Sequence, residues 1–316
     1  MQTVYTFGRY FKSKFKCKVG KLPIGLSGFT CPNIDGTVAK GGCTFCLNES
    51  FSPNLAKSSK PILNLKSLTN PLLEKQLQEL DEQIKKTTKL MKKQGYKKFL
   101  VYFQAFTNTY APFETLKTLY DKALSYPDVI GLSIGTRSDS VTDEVYDYLA
   151  MLSKTKEIWI EFGVQSIHDK TLVRINRGHD AANAKSGVQK AKAKGLNVCC
   201  HLIYGLPDES EEMMMQTTSE VYSWGIDAIK YHPLYVVKHT LLANEYKAGE
   251  FVPIDEDSYA KILTKALLTK PSHIIVQRIS AGIDDDTLLA PSWCGWEKNK
   301  MVDYLRKELK KSNIIF

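Results

Sequence analysis

Apolar runs of strand length alternate with segments of helical period along most of the chain. The strand-like runs lie at 22–26, 98–105, 129–136, 157–165, 197–206 and 228–237. The segments between them predict helices at about 71–94, 113–125, 142–152, 180–194 and 211–224. Because such alternation is typical of a buried parallel sheet, the pattern predicts an α/β fold wound into a complete or partial barrel. A Rossmann arrangement is the alternative, but no G-x-G-x-x-G motif follows the first strand.

Polar segments follow the predicted strands where each strand ends. A cysteine-containing loop at 31–46 follows the first strand, and the other segments lie at 104–110, 135–140, 164–169, 205–210 and 232–240. In a parallel barrel the carboxyl ends of the strands converge on one mouth, where active sites are built. Each segment taken alone fits an ordinary turn. Their recurrence after every predicted strand indicates a functional site at that mouth.

The composition is typical of a large globular protein. A chain of 316 residues with 43% hydrophobic and 24% charged residues can form one large α/β domain, or a domain with an extension. The segment 1–18 lacks the apolar stretch and cleavage site of a secretory signal, and no run of 18 apolar residues occurs. We therefore expect a cytoplasmic protein that does not enter a membrane.

The chain is basic, with 43 Lys and Arg against 34 Asp and Glu and a formal charge of +9. Lysines are concentrated at 12–21 and 85–98. This charge fits a polyanionic partner such as nucleic acid, and it fits a solvated lysine-rich surface equally well. Aromatic residues between the first lysines could stack on bases or pack against the first strand: Tyr5, Phe7, Tyr10, Phe11 and Phe15.

The seven cysteines are odd in number and irregularly spaced, which argues against a disulfide framework. Cys199 and Cys200 lie in an apolar run and are expected to fill space. Cys31, Cys43 and Cys46 lie in one glycine-rich loop with the spacing C-x11-C-x2-C. Metal binding or catalysis is the use that this loop indicates.

Three thiolates without a fourth neighbour restrict the kind of metal site. A structural zinc site needs four protein ligands. The nearest fourth cysteine, Cys17, precedes Cys31 at a spacing that matches no common zinc site. Zinc on three thiolates would be a poor Lewis acid. An iron–sulfur cluster held by three thiolates keeps one iron open for another ligand. Glycines in the loop, among them Gly41 and Gly42, fit a chain wrapped closely around such a cluster.

Further motifs follow the cysteine loop, namely TNTY, GTRSD, GVQS, RINRGH, GLPDES, a K-x-HPL segment and the tail LLAPSWCGWEKNK. Together they resemble the radical S-adenosylmethionine (SAM) superfamily, and most closely the YtqA/YhcC branch, which is related to the catalytic subunit of elongator. The resemblance covers nearly the whole chain. It implies a partial (βα)6 TIM-like barrel at 1–240, including the basic amino-terminal segment, with a carboxyl-terminal α/β extension at 241–316 packed on it. The x11 spacer is longer than the x3 of most of the superfamily but is this branch's own spacing.

The resemblance also implies cofactors. A [4Fe-4S] cluster would be held by Cys31, Cys43 and Cys46, with SAM on the fourth iron and a reducing donor of the flavodoxin or ferredoxin type. Electron transfer to SAM would give methionine and a 5′-deoxyadenosyl radical that abstracts hydrogen from the substrate.

The resemblance and the position of the polar segments give candidate ligands for SAM. Gln165 and Ser166 suit the ribose hydroxyls. Arg177 suits the methionine carboxylate, and its alternative use is a surface salt bridge. Other candidates for contact with SAM or substrate lie at the same mouth: Gln104, Thr107, Asn108, Arg137 and Asp139.

Cys294, in the tail motif SWCGWE, is either a small space-filling residue or a hydrogen donor near the substrate. His201 lies in a strand-like run and is expected to be a hydrogen-bonded core residue. His179 and His232 lie in the family-like motifs, where they either line the site or serve the structure.

The branch resemblance points to transfer RNA as substrate. The implied reaction removes the carboxymethyl part of 5-carboxymethylaminomethyluridine at the wobble position and leaves 5-aminomethyluridine. Phosphate contacts would suit the basic charge. The alternatives are a radical SAM enzyme with another substrate and a non-catalytic, metal-stabilised RNA-binding protein.

Overall fold

The structure is a computed structural model that describes residues 1–52, 54, 63–283 and 285–316. Within these residues the strands are β1 (Gln2–Thr3), β2 (Val19–Ile24), β3 (Lys98–Phe103), β4 (Val129–Thr136), β5 (Glu157–Gln165), β6 (Asn197–Tyr204), β7 (Ala228–Pro233), β8 (Val236–Val237), β9 (Ile275–Arg278), β10 (Leu288–Ala290) and β11 (Ile314–Ile315). The helices are α1 (Phe7–Phe15), α2 (Asn48–Phe51), α3 (Leu73–Lys93), α4 (Phe113–Leu124), α5 (Asp143–Ser153), α6 (Asp169–Arg174), α7 (Ala181–Ala193), α8 (Glu211–Ser223), α9 (Leu241–Lys247), α10 (Glu256–Thr269) and α11 (Lys298–Lys311).

The central sheet has seven parallel strands in the order β2-β3-β4-β5-β6-β7-β9. Its two edge strands approach each other, because Lys21 Nζ on β2 donates to Gln277 Oε1 on β9 at 3.0 Å. The sheet is therefore curled into a partial barrel, which confirms the predicted fold class. All six predicted strands are present. The seventh strand, β9, was not predicted, and it comes from the carboxyl-terminal segment.

Short polar residues fix where several helices begin. At each of these positions the side-chain oxygen accepts a hydrogen bond from the backbone amide three residues later, which satisfies an otherwise free donor of the first turn. The capping residues are Thr6 for α1, Thr142 for α5, Asp180 for α7, Ser210 for α8, Thr240 for α9 and Asp255 for α10. For α5, α8 and α9 these caps lie at or just after the polar segments at the barrel mouth.

The two faces of the sheet differ in chemistry. Alternate residues of β5, such as Ile160 and Phe162, point outward into the main apolar core under the helices. The residues between them point to the inside of the barrel. Trp159 belongs to an apolar layer there, and Glu161 lies above it, fully buried. The inner face is therefore apolar at one end and charged in the middle.

Helix α1 covers the amino-terminal end of the barrel. Phe11 is buried, and the Phe7 ring meets Trp159 edge-on with centroids 5.2 Å apart. Lys14 forms an ion pair with Glu157 at 2.6 Å. The aromatic residues of this segment therefore pack against the protein, which favours packing over base stacking, the two uses that the sequence left open. Its lysines lie at the end of the barrel opposite the cysteine loop.

The carboxyl-terminal segment adds more than β9. Strand β11 pairs with β1, so the two ends of the chain are joined, and β10 pairs with β8.

The division into 1–240 and 241–316 stays a prediction. None of the helices in the described part of the chain is long and apolar enough to cross a membrane.

Gly131 marks a close approach of β4 to β5. A Cβ at this position would lie 1.8 Å from the carbonyl oxygen of Glu157, which belongs to the backbone and has little freedom to move. We expect Gly131→Ala to lower the free energy of unfolding by about 3 kcal/mol or more. Urea denaturation followed by circular dichroism measures this change.

Gly8→Ala in α1 is the matched control. Its new Cβ would lie 3.9 Å from Thr6 Oγ1, an ordinary contact, and alanine favours helix by about 0.5–1 kcal/mol. Equal stability of the two variants would contradict the tight β4–β5 contact.

Candidate functional site

The three cysteines lie in the loop after β2, at the carboxyl-terminal ends of the parallel strands. The amide of Ile34 donates to the carbonyl of Cys31 at 2.8 Å, and the amide of Cys46 donates to the carbonyl of Cys43 at 2.9 Å. Gly41 has a φ of 82°, a left-handed conformation that glycine adopts without strain. These turns fold the loop back on itself and present it at the barrel mouth.

Nitrogen donors point at two of the three sulfur atoms. Asn33 Nδ2 and Arg177 Nη1 lie 3.7 and 3.8 Å from Cys43 Sγ, and Asn48 Nδ2 lies 3.7 Å from Cys46 Sγ. Such donors can give hydrogen bonds to the sulfur atoms of metal-bound cysteines. The donor set of this loop is suited to a thiolate-bound iron centre.

The segment that carries Arg177 is locked onto the cysteine loop. Asn176 Nδ2 donates to the carbonyl of Gly42 at 2.7 Å, and Asn33 Nδ2 donates to the carbonyl of Asn176. Gly178 has a φ of 78°, and a Cβ there would lie 2.1 Å from Asn33 Oδ1. Only glycine permits this approach, so loop and segment form one unit that holds Arg177 beside Cys43.

Arg177 is buried, with 6% of its surface exposed. Its Nη2 donates to the carbonyl of Gly163 at 2.6 Å, and its Nε has no hydrogen-bond partner among the residues that the structure describes. Within the same residues no carboxylate lies within ion-pair distance of Arg177, so the alternative of a surface salt bridge is wrong. A buried guanidinium with an unused donor beside thiolates is available to an anionic ligand.

Arg137 and Asp139 support Arg177 from behind. Arg137 Nη1 donates to the carbonyl of Arg177 at 2.8 Å, while its Nε and Nη2 donate to Asp139 at 2.9 and 2.6 Å. Burial would lower the pKa of Arg137, but Asp139 and the negative charge on Cys31 and Cys43 raise it. This pair therefore positions the Arg177 segment beside the cysteines.

The end of β5 is irregular next to Arg177. The register with β6 shifts between Gly163 and Gln165, and Gln165 has a φ of 70°. Bulges of this kind re-aim side chains, and such strained residues are concentrated at functional sites. A Cβ at Gly163 would lie 2.7 Å from Gln165 Nε2 and 3.1 Å from Arg177 Nη2. The missing side chain at Gly163 thus leaves room for both polar groups.

Ser166 is fully buried behind this bulge. Its hydroxyl donates to Glu209 and accepts a hydrogen bond from the amide of His168 at 3.0 Å. Burial raises the pKa of Glu209, which lies in the GLPDES segment. The structure therefore joins the GVQS and GLPDES motifs through Ser166. Binding of the SAM ribose by Gln165 and Ser166 stays a prediction.

The segment after β3 is tied to its neighbours on both sides. The amide of Thr107 donates to the carbonyl of Thr30 at 3.2 Å, and Asn108 Nδ2 donates to the carbonyl of Gly135 at 3.0 Å. Thr107 and Asn108 are both buried, whereas Gln104 is half-buried at the end of β3. These residues connect the cysteine loop to β4, and their contact with SAM or substrate stays a prediction.

The remaining cysteines lie away from the loop. Cys17 lies between α1 and β2, at the opposite end of the barrel, so it cannot complete a four-cysteine zinc site. Cys199 and Cys200 are fully buried, as expected of space-filling residues. Cys294 is fully buried in the main core beside Trp293, and burial raises its pKa. This environment favours the space-filling role of Cys294.

The sequence analysis missed a charged layer on the inner face of the sheet. Glu161 accepts hydrogen bonds from Lys21 Nζ at 2.5 Å and from Lys230 Nζ, and His201 Nε2 lies 2.8 Å from its second oxygen. Burial would raise the pKa of Glu161, but Lys21 and Lys230 hold it well below its ordinary value. His201 is thus a hydrogen-bonded core residue, as expected. The signal for this layer is the charged residue between Ile160 and Phe162.

Glu161, Cys199 and His201 also have potential ligand atoms within 4.8 Å of one another. Two ammonium groups already neutralise the carboxylate, and burial raises the pKa of the Cys199 thiol. The positive surroundings oppose a cation at this place.

Comparison with known families identifies the chain. The sequence pattern of the radical SAM superfamily matches residues 36–221, and that of the radical SAM C-terminal domain matches 226–311. Protein YhcC of Escherichia coli K12 is 38% identical over 292 residues, which cover 92% of this chain and 87% of YhcC. The chain belongs to the radical SAM superfamily. The similarity to YhcC also confirms the predicted branch of this superfamily.

Two further similarities are to larger proteins. The tRNA uridine(34) acetyltransferase of Methanocaldococcus infernus is 27% identical over 188 residues, which are 58% of this chain and 34% of that protein. The solved structure of the same organism's Elp3, with an amino-terminal deletion, superposes with a TM-score of 0.61 at 18% identity. That match covers 93% of this chain and 63% of Elp3 and supports the fold.

As a radical SAM enzyme, the protein uses a [4Fe-4S] cluster and SAM. The residues at the mouth fit these groups, since the loop offers three cysteines with N–H donors at two sulfurs and a buried guanidinium beside them.

Proposed function

We propose that this radical SAM enzyme modifies the wobble uridine of transfer RNA, converting 5-carboxymethylaminomethyluridine, water and one SAM to 5-aminomethyluridine, glyoxylate, methionine and 5′-deoxyadenosine. The observation that carries the proposal is the similarity to an enzyme named for its action on uridine 34 of tRNA. The formal charge of +9 supports a nucleic-acid substrate, because lysines that neutralise phosphates release counterions. A radical SAM enzyme with a different substrate is the alternative.

Cys31, Cys43 and Cys46 are the residues proposed to hold the cluster. When bound, the cluster supplies an electron that cleaves SAM into methionine and the radical that abstracts hydrogen from the substrate. Radical SAM enzymes need an electron donor for this step, and we propose a flavodoxin or ferredoxin. Asn33 and Asn48 would donate hydrogen bonds to the cluster-binding sulfur atoms beside them.

Arg177 is proposed to bind the carboxylate of SAM through its unused donor. Because the Arg177 segment is fastened to the cysteine loop by Asn176 and supported by Arg137, its guanidinium is fixed relative to the cysteines. Such pre-positioning lowers the entropy cost of aligning reactants. Gln165, at the bulge of β5, is proposed to bind the ribose from the adjacent strand end.

Analysis of tRNA nucleosides tests the proposal. We expect tRNA from cells that lack the gene to accumulate 5-carboxymethylaminomethyluridine and to lose 5-aminomethyluridine, as measured by liquid chromatography and mass spectrometry. The wild-type gene should restore the product, and a Cys43→Ala gene should not. An unchanged nucleoside profile in the deletion strain would contradict the wobble-uridine substrate and favour the alternative.

A further inference from the structure

The inside of the barrel carries positive charge that the cofactor site does not use. Six residues on the inner strands form what we call the lumen set: Lys21, Glu161, His201, Lys230, His232 and Arg278. This set contains three cations and one carboxylate. Lys21 and Lys230 pair with Glu161, whereas Arg278 is more than a third exposed and forms no ion pair among the described residues, which leaves one cation open to an outside ligand.

Glu161 is fully engaged and cannot compensate the whole set. It interacts with Lys21, Lys230 and His201, and it also accepts a hydrogen bond from the Ser133 hydroxyl. Carboxylate oxygens offer about four acceptor positions, so these contacts use the group completely. Arg278 therefore receives no pairing from this carboxylate.

Arg278 is the unpaired cation of the lumen set. It lies on β9 in register with Lys230 of β7. Among the described residues it donates no hydrogen bond and forms no ion pair, and more than a third of its surface is exposed. His232 lies two residues after Lys230 on the same face of β7, so it is a near neighbour of Arg278 in the sheet.

His232 offers a second unused group next to Arg278. Its ring lies 5.8 Å from that of His201, and its Nε2 is buried without a hydrogen-bond partner among the described residues. Burial and the charge of Arg278 hold the pKa of His232 well below its ordinary value, so the ring is neutral at pH 7. A neutral imidazole with Nε2 protonated donates a hydrogen bond.

These two groups face the side of the barrel on which the cysteine loop lies. His232 is the last but one residue of β7 and Arg278 is the last residue of β9, and the cysteine loop follows the carboxyl end of β2 in the same parallel sheet. A ligand held by Arg278 and His232 would therefore lie near the cysteines. This is where the substrate of a radical SAM enzyme has to be.

We propose that Arg278 and His232 form a subsite inside the barrel for a carboxylate of the substrate. Guanidinium groups pair with carboxylates through two parallel hydrogen bonds, and a neutral imidazole can add a third donor. Lys230 adds positive charge from the neighbouring strand. The identity of this carboxylate as the carboxymethyl group of the modified uridine rests on the proposed function.

A phosphate of the RNA backbone is the other source of negative charge. Enzymes that act on bases extrude the target base from the stack into the active site. The substituent on such an extruded base can therefore enter the barrel. A backbone phosphate would have to bring the whole chain of the nucleic acid inside. The observations therefore favour the carboxylate.

Binding of two anticodon stem-loops to the reconstituted enzyme tests this subsite. One carries 5-carboxymethylaminomethyluridine and the other carries 5-methylaminomethyluridine, which lacks the carboxylate; both have the same phosphates. We expect the wild-type enzyme to bind the first at least about tenfold more tightly, the effect of one charge-assisted contact. Arg278→Gln should remove the difference, and Arg278→Lys should retain part of it.

Arg306→Gln is the matched control, because Arg306 is exposed on α11 and pairs only with Asp303 among the described residues. It should keep the wild-type preference. Equal binding of both stem-loops by the wild-type enzyme would overturn the proposal. An equal loss of affinity for both stem-loops in Arg278→Gln would also overturn it, because that result indicates a phosphate contact. A loss of SAM affinity in the same variant would overturn it as well, because that result places Arg278 in the cofactor site.

A probe without RNA separates this subsite from the tRNA proposal. We expect N-acetylglycine, a small carboxylate, to raise the melting temperature of the wild-type enzyme more than that of Arg278→Gln, with Arg306→Gln behaving as the wild type. Should the nucleoside analysis exclude wobble uridine, this difference would still support a carboxylate subsite. Equal increases in all three proteins would overturn the subsite whatever the substrate is.

Discussion

Alanine in place of Cys31, Cys43 or Cys46 is expected to abolish cluster binding and SAM cleavage, whereas Cys17→Ala should leave both intact. Three thiolates are the whole protein ligand set of the proposed cluster, so the loss of one leaves too few to retain it. Anaerobic reconstitution followed by iron and sulfide analysis measures the cluster. Chromatography of methionine and 5′-deoxyadenosine measures the cleavage.

Cys17 is a strong control because it is also partly exposed but lies at the opposite end of the barrel. Its replacement removes a thiol without touching the loop. Loss of iron from Cys17→Ala would show that the cluster does not have three cysteine ligands. A colourless protein that holds zinc would contradict the iron–sulfur assignment altogether.

The strands of the barrel could be predicted because many inward-facing residues are small or apolar, like the outward-facing ones. Each strand therefore reads as a nearly unbroken apolar run in the sequence. In β4, for example, Gly131 and Ser133 separate outward-facing residues without breaking the apolar run. Strand β9 was missed because it has four residues and ends in Gln277 and Arg278. Strand β9 joins the sheet by pairing with β7, which is distant in sequence, so the residues of β9 alone do not predict it.

Helix α1 was missed for a different reason. Phe7, Phe11 and Phe15 are spaced four residues apart, which is a helical period, but the sequence analysis considered these residues only as stacking or strand-packing groups. The structure shows that the aromatic face covers the end of the barrel. A short helix with one apolar face was therefore not recognised from its spacing.

The candidate site was predictable where its residues are close in sequence. The cysteine loop follows from spacing, and Arg177 follows from the RINRGH motif. The lumen set could not be found in this way, since Lys21, Glu161 and Lys230 are far apart in the chain. They meet only because the parallel strands place inward-facing residues at the same height in the barrel.

Arg177→Lys is expected to lower SAM affinity by roughly ten- to a hundredfold while the cluster still assembles. Lysine keeps the charge but loses the planar fork, so it cannot contact both the Gly163 carbonyl and an incoming carboxylate as arginine can. Losing one charge-assisted hydrogen bond in a buried site costs about 1.5–3 kcal/mol. Titration of SAM into the reconstituted variant measures the change.

Arg174→Lys is the matched control, because Arg174 lies three residues earlier and also forms a two-pronged contact, at 3.0 and 2.7 Å from the Glu245 oxygens. That contact is partly exposed, so its loss should leave SAM affinity within about twofold of the wild type. Iron content is measured first, because Arg177 Nη1 also lies 3.8 Å from Cys43 Sγ. Wild-type SAM affinity at full iron content would remove Arg177 from the SAM site, whereas loss of iron would assign it to the support of the cluster.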